Sequence, residues 1–217
     1  MPRVAVINAS AVILGDVFTP NLLTPSTFEK FLKGQQPRGI TTNVVTQLEY
    51  PSREVVITLE EKKFQAVKRT PRRGDLQLLA DLTLFFAKAN PLVKLTAAGL
   101  NFAGFAGYPA NTGNGGEQRF ISRYVGHDAL KQLVGNAPES ASLQSAYQHQ
   151  DTLCHLTMRS DAILGGKAGV ALDLNVHRDL SGKRARLALA EHLGAFPFWW
   201  DYFARVTKTL SKQLEKH

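Results

Sequence analysis

At 217 residues, 44% hydrophobic and 20% charged, the chain is long enough to bury a core and too apolar for wholesale disorder. Its 26 Lys and Arg against 18 Asp and Glu leave a net charge of +8, which permits contact with polyanions without specifying any. The single cysteine, Cys154, excludes an internal disulfide and a thiolate zinc cage, and no apolar run reaches transmembrane length. The expectation is a cytoplasmic protein with no cofactor, no metal and no membrane contact.

In chain order, Val4 to Leu14 reads as an entry strand closed by Gly15-Asp16, Pro20 and Pro25. Ser26 or Thr27, with Glu29, predicts a capped short helix through Leu32 that Gly34 stops. Gln35 to Thr42 reads as a connection. Alternation over Val44–Tyr50 and Glu54–Glu60 around Pro51-Ser52-Arg53 predicts a β-hairpin, with a third strand at Phe64 to Val67. Asp75 then caps a helix carrying Leu76, Leu79, Leu82 or Thr83, Phe86 and Ala89 at 3-4 spacing, which Asn90-Pro91 ends. A strand from Leu92 to Phe102 follows.

The glycines and asparagines of residues 104–118 predict a long flexible loop. Beyond it come a short helix at Asp128–Val134, a polar connection over Asn136–Ser145, and a second hairpin, Thr152–Arg159 with Val170–Val176, turning at Gly165-Gly166. The last segment, 183–217, reads as helical and broken at Phe196-Pro197. The sum is a single α+β domain over 1–217, a mainly antiparallel sheet with helices packed chiefly on one face. No solenoid repeat is evident, although both halves pair a hairpin with a helix and Leu100-Asn101-Phe102 echoes Leu174-Asn175-Val176.

Several residues of the first half, Leu14-Gly15-Asp16 with Pro20 and Pro25, Glu49-Tyr50-Pro51, and Ala98-Gly99-Leu100-Asn101-Phe102, carry a likeness. In them the N-terminal half resembles an uncharacterised family of bacterial proteins. The resemblance implies a fold and no activity, and the spacing between Asp16 and Pro20 departs from it.

Five constellations bear on function. Asp173, Asn175, His177 and Asp179 alternate with Leu172, Leu174 and Val176, so they share one strand face and could serve an enzyme; a solvated outer face is the favoured explanation. Cys154-His155 cannot pair as nucleophile and base, because adjacent strand residues point to opposite faces. Gly165-Gly166-Lys167-Ala168-Gly169 lacks the spacer and hydroxyl of a phosphate loop and reads as a turn. The basic groups Lys62, Lys63, Lys68, Arg69, Arg72 and Arg73, and Arg178, Lys183, Arg184 and Arg186, are candidates for nucleic-acid contact, with Phe64 or Tyr50 available for base stacking. The C-terminal aromatics exceed one helical stripe, and Phe196, Phe198 and Trp200 are the candidate interface. No catalytic residue is assigned. The reading favours a non-catalytic bacterial protein acting through a protein partner or as a homo-oligomer, ahead of a nucleic-acid-binding accessory protein and an enzyme.

Overall fold

The computed structural model describes residues 4–19, 22–109, 115–126, 132 and 139–215. Nine strands form one antiparallel sheet: β1 (Val4–Gly15), β2 (Arg38–Thr41), β3 (Val45–Tyr50), β4 (Val55–Glu60), β5 (Lys63–Arg69), β6 (Leu95–Gly107), β7 (Ser142–His149), β8 (Thr152–Leu164) and β9 (Lys167–Asp179). Their spatial order is β2-β3-β4-β5-β1-β6-β9-β8-β7. The described α-helices are α1 (Leu76–Ala89), α2 (Gly115–Tyr124), α3 (Ala185–Gly194) and α4 (Phe196–Glu215). The fold is α+β, as the alternation and 3-4 spacing predict.

Strand parity assigns every side chain to one of two faces. Ile13, Phe64, Ile57, Leu100, Phe102, Leu174 and Val176 point to the face that α1, α3 and α4 cover, and all are buried there. Phe86 of α1 stacks on Phe64 with ring centroids 4.1 Å apart, and Phe102 meets Phe196 and Phe203 of α3's successor α4. Asp16 ties the end of β1 to the approach to β6: its carboxylate accepts the N–H groups of Val17 and Lys94, which hold it below its usual pKa.

The topology contains a duplication. In each half the first strand pairs with the last, β1 with β5 and β6 with β9, and the meander runs outward through β4 and β3 or through β8 and β7. β1 and β6 lie antiparallel at the centre, so a local two-fold axis perpendicular to the sheet relates the halves. From β5 into α1 and from β9 into α3 and α4 the correspondence runs without an insertion: Gln65 with Asn175, Lys68 with Arg178, Leu79-Ala80-Asp81 with Leu189-Ala190-Glu191, and Phe86 with Phe196. Gly15 and Gly104 are equivalent too. A Cβ on either would come within 2.9 Å of a phenylalanine ring, Phe18 or Phe203. The echo between residues 100–102 and 174–176 is not this repeat, since it links β6 to β9 within one half.

Other expectations are corrected. Residues 35–42 contain the edge strand β2, and of the connection expected at 136–145 the described part, from 139, runs into β7. The flexible loop expected at 104–118 is ordered at both ends, as β6 through Gly107 and α2 from Gly115; glycine at 104 admits Phe203, so it serves packing instead of mobility. The short helix near Ser26 is a 3₁₀ turn over Pro25–Phe28 whose cap is Thr24, bonded to Thr27. The helix expected at 128–134 lies outside the described residues apart from 132.

Because Leu79 and Phe86 are fully buried between α1 and the sheet, Leu79→Ala should cost about 2–5 kcal/mol and Phe86→Ala about 3–5 kcal/mol in denaturant unfolding. Unchanged midpoints would place the core elsewhere.

Candidate functional site

Among the described residues no helix lies on the second face of the sheet. Its centre is built of small and uncharged side chains, because β6 presents Ala97, Gly99, Asn101 and Ala103 there. A polar row crosses four strands: Gln65 of β5 and Asn101 of β6 both donate to the Ser10 hydroxyl, at 3.3 and 3.2 Å, and Asn175 of β9 donates to the Asn101 carbonyl oxygen. Neighbouring strands bring such side chains within reach, and the row leaves Ser10 only 3% exposed on an otherwise open face. Beside it a depression of about 270 Å³ is lined by Asn8, Asn101, Ala103, His155, Thr157, Asp173 and Asn175. Phe105 is buried on this same face, lying over Gly169, where a Cβ would meet its ring at 2.5 Å.

Asp173, Asn175, His177 and Asp179 do share this face, as their spacing predicts, yet they converge on no common centre. Asp173 faces Arg159 at 3.7 Å, Asn175 bonds Asn101, and His177 Nε2 lies 3.0 Å from Asp179. The last pair opens into a pocket of about 390 Å³ at the strand end, bounded also by Asp151, Arg178, Ser181 and Arg184. Arg178 points the other way, inward, and is held by Asp151 at 2.5 Å, Glu191 at 3.2 Å and the Ala188 carbonyl. Cys154 is buried and His155 faces outward; burial pushes the Cys154 thiol up, away from thiolate chemistry.

The basic groups disperse. Lys63 and Arg69 lie at opposite ends of β5 and pair with Glu60 and Glu49, Lys68 points inward onto Glu54, and Arg73 binds Asp201. Arg186 donates to the Ala87, Asn90, Pro91 and Val93 carbonyls, closing the C-terminal end of α1. That leaves Lys62, Arg72, Lys183 and Arg184 without an ion pair among the described residues. Phe64 and Tyr50 are buried and offer no base a stacking surface. The aromatic interface is corrected likewise: Phe196 is 1% exposed in the core, Trp200 is half-buried against Phe102, and only Phe198 is open, at 47%. The helix repeats Phe86 at Phe196, and that equivalence explains its burial.

No protein-family model matches the chain, and no curated protein matches it.

His192 is the buried group nearest this strand end. It occupies the place that Leu82 takes in the first half, it is 2% exposed, and its Nε2 has no hydrogen-bond partner. Burial, reinforced by the Arg178 cation, lowers its pKa from 6.5 to about 4, while Asp151 opposes the shift and His177 adds to it. The unfolded chain therefore binds more protons between those values. Stability tied to His192 is complete above pH 6.5 and is lost as pH falls toward about 4, an effect of up to about 3 kcal/mol. His192→Leu, which copies the other half, should flatten thermal stability between pH 4 and 6.5. A wild-type midpoint that does not move over that range would contradict the assignment.

Proposed function

We propose that this is a non-catalytic cytosolic protein that works through protein contacts, and that its partner across the helix-free face is a second copy of itself. The observation that carries the reading is the electrical balance of that face. Its carboxylates Glu49, Glu60, Asp173 and Asp179 stand against Arg69, Lys63 and Arg159, with Asp179 beside the His177 ring and Arg38 and Lys167 at the rim, so these four carboxylates meet five basic groups. The chain as a whole carries +8, so most of its surface repels another copy while this face does not.

Area supports the same choice. Nine strands about 4.8 Å apart span roughly 40 Å, and strands running from 4 residues in β2 to 13 in β6, β8 and β9, about nine on average, give the face roughly 1,200 Å². A stable interface uses about 800 Å² per partner. The trough of Ala97, Gly99 and Ala103 between bulkier flanks lets two sheets approach closely.

A specific observation also favours a second reading, an enzyme: the pocket that meets the His177–Asp179 pair. His177→Ala would then abolish an activity without changing the melting temperature. The nucleic-acid reading loses support from the ion pairs that neutralise Lys63, Lys68, Arg69 and Arg73.

Light scattering should give the wild type twice the 23.9 kDa of one chain. Ala103→Arg or Asn175→Arg should return it to the monomer mass with the unfolding midpoint retained. A wild type that is monomeric at hundreds of micromolar would end this reading.

A further inference from the structure

Three non-glycine residues among those described hold left-handed backbone: Glu54 (φ 52°), Thr70 (φ 42°) and Gln150 (φ 54°). Such a conformation is costly for a β-branched residue like Thr70, and it persists where the surroundings enforce it. Glu54 and Thr70 line one pocket of about 450 Å³, between the β3–β4 turn, the end of β5 and the start of α1. Gln150 occupies the matching turn of the other half. The strained backbone therefore gathers at two equivalent places.

The first pocket has a fixed internal frame. Lys68, 8% exposed, donates to Glu54 Oε2 at 2.8 Å and to the Arg69 carbonyl at 3.1 Å; the Thr70 hydroxyl donates to the same carboxylate oxygen at 2.7 Å, and its N–H to the Ile7 carbonyl at 2.8 Å. Hydrogen bonding from Lys68 and Thr70 holds Glu54 below its usual range, hence ionised. Asp75 accepts the Arg72 N–H at 2.8 Å. Both carboxylates are thus engaged within the protein. The guanidinium groups of Arg53 and Arg72, which line the same pocket, have no partner among the described residues, and neither does the Ser52 hydroxyl.

We propose that this pocket binds the phosphate group of a small phosphate ester, with Arg53 and Arg72 engaging its oxygens and Ser52 donating a further hydrogen bond. Guanidinium forks match tetrahedral oxyanions, and the volume suits a small ligand. The duplicated pocket supplies the contrast. It keeps the structural pair, Asp151 with Arg178 in place of Glu54 with Lys68, but besides that pair its lining holds one cation, Arg184, and one carboxylate, Asp179, which lies against His177. The first pocket is lined by three cations, Arg53, Lys68 and Arg72, against two carboxylates, and the second by two cations against two, so only the first carries an excess of positive charge. The pocket is also no part of the helix-free face, so the proposal does not depend on self-association.

The test is a titration of full-length protein with inorganic phosphate and phenyl phosphate at constant low ionic strength, read by calorimetry and amide chemical shifts. Shifts should centre on Ser52, Arg53, Thr70 and Arg72. The double variant Arg53→Gln/Arg72→Gln should weaken binding at least tenfold, and Arg184→Gln should leave it unchanged. Both arginines are solvent-exposed and unpaired, so the variants should keep the wild-type melting temperature. Equal binding by all three proteins, shifts centred on the Arg184 pocket, no saturation by 10 mM of either probe, or binding of an oligothymidylate without any response to the two small probes would each overturn the proposal.

Discussion

The pairing of β1 with β6 is the constraint on which the rest of the structure depends. It runs from Val4 opposite Ala106 to Gly15 opposite Leu95, and among the described residues it is the only strand pairing between the two halves of the chain. Each half closes its own meander by joining its last strand to its first, and β1 and β6 each carry that closure on one edge and the seam on the other. Glycine at 15 and 104 lets phenylalanine rings approach the seam strands where a side chain would hold them off. The seam also fixes which residues meet on the helix-free face. Ser10 and Asn101 bond because their strands are adjacent in that register.

Much of this architecture was legible in the sequence. The β3–β4 hairpin and α1 show clean periods of two and 3.6, since each has one face against the core. The edge strands were not legible: Arg38–Thr41 is exposed on both faces, and Ser142–His149 alternates among polar residues, so neither carries a hydrophobic rhythm. Gly104 to Gly107 read as a loop because composition does not reveal that Phe203 needs the space. The duplication was hidden because equivalent strands in the two halves are separated by unequal lengths of chain, while the corresponding β5–α1 and β9–α3 stretches retain few identical residues.

The same distinction governs the sites. Parity correctly placed Asp173, Asn175, His177 and Asp179 on one face, but parity within one strand says nothing about the neighbours, so Ser10, Gln65 and Asn101 were missed. The basic run misled because a count of charges ignores direction. Lys68 turns inward to Glu54, and Arg186 spends its guanidinium on the carbonyls at the end of α1. The aromatic run misled for a related reason: Phe196 belongs to the core position that Phe86 fills in the first half. Duplication also shows which residues the fold itself requires. The pairs Glu54–Lys68 and Asp151–Arg178 recur and hold strand ends, whereas Arg53, Arg72, His177 and Asp179 have no counterparts of the same chemistry and stand out as the groups available for function.

The central claim, that the helix-free face receives a second copy, is tested most directly by a pulsed dipolar distance measurement between spin labels on different molecules. A label at Gln47, in a Cys154→Ala background, sits exposed on this face away from the Ala97–Ala103 trough, so it leaves the contact intact. The account predicts a narrow intermolecular distance from this label, no longer than the roughly 40 Å span of the sheet, that vanishes on dilution with unlabelled protein, and no such distance from a label at Leu92, which is exposed on the approach to β6. Such a distance from Leu92 instead, or no intermolecular coupling from Gln47 at hundreds of micromolar, would contradict it.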